Sequence, residues 1–113
     1  MYIDNLKFGE KPHVEYYKKI NTDMVRIPYD LTEISPGIYS WRELSVRYTA
    51  LNYGDIVSAL IDLKYSPATM TAIINNYLLD TDDIEAKAEF EEMQNYRKEA
   101  KLKAKAIIAE LNL

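Results

Sequence analysis

The chain has no cysteine, one histidine, three glycines and four prolines in 113 residues, and each scarcity removes a class of explanation. Without cysteine there is no disulfide framework and no thiolate ligand for a metal. A zinc or copper site would have to rest on His13 and carboxylates, an uncommon donor set. Three glycines are too few for a phosphate cradle, and no GxGxxG, P-loop, GxSxG or HExxH pattern occurs. No stretch approaches 18 apolar residues, so no membrane-spanning helix is expected. The start, MYIDNLKFGEKPH, lacks the basic and apolar segments of a secretory signal. A soluble, cytoplasmic protein is the expectation. A net charge of −4 counts against binding to phosphate backbones or anionic membranes.

What is present fits one globular domain over residues 1–113 with a modest core: 48% of residues are hydrophobic and 28% charged. Ten tyrosines stand against two phenylalanines and one tryptophan. Tyrosine combines an apolar ring with a polar tip, which suits half-buried positions and contact surfaces.

Residues 1–23 carry no clean period. Val14, Tyr17 and Ile20 recur every three residues, which allows a short helix or a turn. MVRIPY, from Met24, alternates like a strand whose proline marks an edge or an end. Ser35, Pro36 and Gly37 form a turn signal. Leu44, Val46 and Tyr48 then alternate with Ser45, Arg47 and Thr49, as in a strand with one wet face. Tyr39 and Trp41 have the opposite parity, so a bulge near Arg42 and Glu43 would be needed to bring all five to one side. Two or three antiparallel strands are expected between residues 24 and 50.

After Asn52 the period becomes helical, and residues 53–80 read as a helical hairpin. Ile56, Val57, Leu60, Ile61 and Lys64 mark one face, with Asp55 near the positive end of the helix dipole. Ser66–Pro67 gives an N-cap and a first-turn proline, followed by a stripe of Met70, Ile73, Ile74, Tyr77 and Leu78. Residues 82–111 form the strongest regular signal. Ala86, Phe90, Met93, Arg97, Ala100, Ala104, Ile107 and Leu111 are spaced alternately four and three apart, a heptad seam broken by Arg97. Asp82 with Glu85 has capping-box spacing in a weaker form. A helix of that length would be about 45 Å long at about 1.5 Å per residue. The expected fold class is therefore α+β: a small antiparallel sheet, then three helices, the C-terminal one long. The seam can close on the chain's own sheet and helices, or serve as a coiled coil between subunits.

Three constellations bear on chemistry. DIVSALIDLKYSPATMTAIINNYLL has the layout of a helix-turn-helix, with Ser66 and Thr69 placed for phosphate and Asn75 and Asn76 for adenine edges. Against a regulatory nucleic-acid binder, no lysine or arginine lies between Lys64 and Lys87, while Asp80, Asp82, Asp83 and Glu85 are acidic. DTDD lacks the glycine of a calcium loop and suits a capped helix start. His13, beside Glu10 or Glu15, has no pocket signal around it. No catalytic, cofactor or metal-binding residue is expected, nor any small-molecule ligand.

YGDIVSALIDLKYSPATMTAIINNYLLD, followed by EFEEMQNYRKEAKLKAKAII, resembles small phage and prophage proteins of gut Bacteroidetes. The resemblance spans about residues 38–108, with INNYLLD and EMQNYRKEAK its most specific pieces. It implies a tail-fibre-associated accessory protein, which would place it with the virion, and it transfers no functional residue. The combined expectation is a non-enzymatic, structural or assembly protein that contacts a protein partner or copies of itself through its C-terminal helix and tyrosine-edged sheet. Tyr39, Trp41, Tyr96, Arg97, Ile107 and Leu111 are the candidate contact residues, since aromatics and arginine are common interface anchors.

Overall fold

The computed structural model describes residues 6–111. Four strands, β1 (Leu6–Gly9), β2 (Glu15–Lys19), β3 (Thr22–Ser35) and β4 (Ile38–Arg47), precede three helices, α1 (Tyr53–Asp62), α2 (Pro67–Leu79) and α3 (Ile84–Leu111). The strands form one antiparallel sheet in the order β1-β4-β3-β2. The architecture is α+β.

The sheet begins far earlier than residue 24, and the described residues before that point hold no helix. Both early strands are edges whose side chains are mostly exposed, so they carry no apolar alternation for a periodicity argument to find. What makes them strands is pairing: Leu6–Gly9 against Arg42–Tyr39, and Glu15–Lys19 against Arg26–Thr22. Ile20 and Asn21, at φ 49° and 60°, form the two-residue turn joining β2 to β3. Positive φ at both positions matches the type I′ turn that antiparallel hairpins favour. Ser35–Pro36–Gly37–Ile38 closes the other hairpin, with Gly37 at φ 77° as a type II turn demands of its third residue.

Pro28 sits inside β3, paired across with Glu43, rather than at its end. In the ladder that the type I′ turn sets, residues 22, 24, 26 and 28 turn their backbone groups toward β2. Pairing with β2 stops at Arg26, so the missing N–H of Pro28 falls where no strand needs it. The bulge lies at the level of Arg42, but in the opposite strand. Between Tyr29↔Arg42 and Thr32↔Ser40, β3 uses one residue more than β4, and Asp30 there has φ 53°. β4 is unbroken, so Tyr39 and Trp41 stay on the face away from Leu44 and Val46.

Val25, Ile27, Tyr29, Leu44 and Val46 turn inward to meet Ile56, Leu60 and Ile61 of α1, Ile73 of α2, and Met93, Ala100, Ala104 and Ile107 of α3. The seam of α3 therefore closes within the chain, and Ile107 is only 3% exposed. Ala100 and Ala104 let a long helix lie close to the sheet and to α1, where larger side chains would hold them apart. Phe90 stacks on Tyr77 at 4.5 Å and 13°. Leu78, assigned to the α2 stripe by spacing, faces outward at 67% exposure.

Helix ends are held by the side chains nearest them. Asn52 Oδ1 accepts from Asp55 N–H at 2.9 Å, and Ser66 Oγ from Thr69 N–H at 3.1 Å. α3 starts one to two residues later than spacing suggested, because Asp83 rather than Asp82 accepts from Ala86 N–H, at 3.1 Å. Asp80 Oδ1 accepts from Asp82 N–H at 3.0 Å, so two carboxylates of DTDD are engaged in chain geometry.

Candidate interaction surface

The helices cover one face of the sheet. On the other, alternate residues of all strands stand together: Glu15 and Tyr17 of β2, Met24 and Arg26 of β3, Glu43, Trp41 and Tyr39 of β4, Lys7 of β1. Arg26 organises one end of this face. Its guanidinium lies 3.1 Å from Glu15 and 3.2 Å from Glu43, and 4.2 Å from the centroid of the Tyr17 ring. Partial burial lowers its pKa, and the bond and charge of Glu15, with Glu43 and Tyr17, outweigh that and raise it. Such a cluster, one guanidinium held between two carboxylates and a ring, is suited to contact rather than to proton transfer.

At the other end, Trp41 leans over Gly9, where an added Cβ would meet the ring at 3.6 Å. The indole Nε1 is buried without a hydrogen-bond acceptor. Tyr39 is half-buried, and its hydroxyl bonds to Glu33, which raises its pKa, burial adding to the effect. Of the six residues singled out by sequence, these two share the outer face; the others do not join them. Tyr96 donates its hydroxyl proton to the carbonyl of Leu60 at 2.8 Å and meets Tyr65 edge-on at 5.5 Å. It anchors α3 to α1. Arg97 donates to Gln94 at 3.0 Å along its own helix. Ile107 is core, and Leu111 packs against the core at the end of α3. They are not exposed anchors for a partner.

Sequence reasoning passed over the apolar side chains around the projecting β3–β4 hairpin and β1. Phe8 is 64% exposed, Ile34 53% and Ile38 40%. By register Phe8 and Ile38 lie on the helix side of the sheet, at the end the helices do not reach. No periodicity marks them, because nothing inside the chain requires their burial. The α1–α2 pair keeps Asn75 and Asn76 exposed, on a helix without a cation.

A cleft of about 370 Å³ opens between the β1–β2 connection, the β3 bulge and the end of α3, with His13, Tyr29, Asp30, Lys103 and Glu110 in its walls. Lys103 is paired with Asp30 at 2.8 Å. No cluster of three or more metal-ligating side chains occurs among the described residues, and no described helix is long and apolar enough to cross a membrane. Compared with protein-family models, curated proteins and solved structures, the chain matches none.

Proposed function

We propose that this protein is a non-enzymatic interaction or assembly module, of the phage- or prophage-associated kind that residues 38–108 resemble. It recognises a protein partner through its sheet rather than through the seam of α3. The observation that carries this reading is the sheet itself: helices cover one face in part, leaving Phe8, Ile34 and Ile38 in solvent beside an outer face built around Tyr17, Arg26 and Trp41. Large apolar side chains gathered near a sheet end, with aromatic and arginine neighbours, are what protein contacts use. A nucleic-acid reading has less support, since the exposed side of α2 carries no cation.

Photo-crosslinking in the cells that produce the protein tests this. A photoreactive residue at Phe8 or Ile38 should give a discrete higher-mass adduct, and one at Lys101, on the exposed side of α3, should not. Equal adducts from all three positions, or none from Phe8 and Ile38, would overturn it.

A further inference from the structure

β2 is a free edge of the sheet, and its five residues are self-complementary. We propose that this edge is a self-recognition surface: β2 of a second copy of the chain pairs with it antiparallel, with Tyr17 opposite Tyr17. This rests on the interaction reading above and names one contact within it.

Three features fit that register. The first is the backbone. The type I′ turn at Ile20–Asn21 makes Lys19↔Thr22 a hydrogen-bonded pair, so Tyr17 and Glu15 also spend their N–H and C=O on β3. The groups of Tyr16 and Lys18 then point to the open side. With Tyr17 on the two-fold axis, Tyr16 faces Lys18 of the second copy, and each exchanges both backbone bonds.

The second is charge. The same register sets Glu15 opposite Lys19 at both ends, and Lys19 makes no ion pair among the described residues. Lysines on an edge strand ordinarily guard it against pairing. Here they discriminate between registers instead. Shifting the axis to Lys18 stacks like charges, and shifting it to Tyr16 leaves Glu15 without a cation opposite.

The third is the ring at the axis. Tyr17↔Tyr17 would be a non-hydrogen-bonded pair, the kind in which side chains come closest and aromatic pairs are favoured. Each ring already carries Arg26 at 4.2 Å, which fixes its position on the outer face before pairing. On the helix side, Tyr16 is tilted against Tyr48 at 6.0 Å, and both rings are more than half exposed. The aliphatic stem of Lys18 from the second copy would lie along them. A five-residue edge buries little area, so the dimer is weak and concentration-dependent.

The test is the mass of the purified full chain by light scattering over about a hundredfold range of concentration reaching the millimolar. Wild type should pass from monomer to dimer, less readily at high salt. Lys18→Pro removes a donor from the open edge without touching the β2–β3 ladder; it should fold, by circular dichroism, and remain a monomer. Lys19→Glu should weaken the dimer about tenfold, since two pairs become repulsive by symmetry. A wild-type chain monomeric throughout would overturn the proposal, as would a dimer indifferent to Lys18→Pro. If Lys18→Pro fails to fold, the charge variant decides: Lys19→Glu dimerising like wild type refutes the pairing. Failure here leaves the Phe8 crosslinking result standing as the separate test of partner recognition.

Discussion

At the scale of single residues, the tyrosines divide by what their hydroxyls do. Tyr96 spends its hydroxyl on the Leu60 carbonyl and becomes a joint between helices, while Tyr17 spends its ring on Arg26 and stays at the surface. Composition could not separate them, because each needs a partner that only folding supplies. Lys64 is held beside the same joint, 3.1 Å from Glu92 and over the rings of Tyr65 and Tyr96. The hydrogen bond to Glu92 raises its pKa, against a smaller opposing effect of burial. A base whose pKa is higher folded than unfolded contributes stability that is complete below its unfolded value and is lost as pH rises through the folded one. Stability from this contact should therefore hold at neutral pH and fade above about pH 10. Urea titrations from pH 7 to 11 check this: wild type should lose its margin over Lys64→Met on the alkaline side. The margin is a few tenths of a kcal/mol, because the pair is partly exposed.

At the scale of elements, legibility followed burial. α1, α2 and α3 were visible in the sequence because each presents an apolar stripe with a cap at or near the expected place. The β3–β4 hairpin was visible through Pro36–Gly37 and the alternation of Leu44, Val46 and Tyr48, although β4 ends at Arg47 and Tyr48 opens a short 3-10 turn. β1 and β2 were not, since an edge strand with wet faces follows its neighbour's hydrogen bonds rather than a pattern of its own. The turn between β2 and β3 concealed itself further by placing Ile20, a β-branched residue, at φ 49°. Such a position favours Asn, whose short polar side chain tolerates the left-handed region. Ile20 is 90% exposed, so no packing is lost on replacing it. Ile20→Asn should stabilise the protein by about 1 kcal/mol, read as a higher urea midpoint with an unchanged slope.

At the scale of the whole molecule, the heptad seam is where one signal allowed two outcomes. A row of small and apolar side chains at four-and-three spacing serves equally between subunits or against a sheet. The tertiary structure puts Met93, Ala100, Ala104 and Ile107 against the sheet, α1 and α2, all nearly without exposure. Ile107→Ser should accordingly destabilise the fold by about 3–5 kcal/mol, read by chemical denaturation. At a fixed concentration where the chain stays folded, its mass should be that of wild type. A variant that kept its stability but changed its mass would return the seam to an intermolecular role.

The amino-acid sequence by itself determined the fold class, the order of the elements from β3 onward and the length of α3, because these follow from local period, capping and turn chemistry. Only the tertiary structure decided which face of each element was covered. It closed the seam inward, turned Tyr39 and Trp41 to the outer face, and drew β1 and β2 into the sheet as edges. It also left Phe8 and Ile38 in solvent at the far end of that sheet. The physical reason is common to all of these. A side chain's environment depends on residues distant in the chain, and the spacing along one strand or helix carries no record of what will be packed against it.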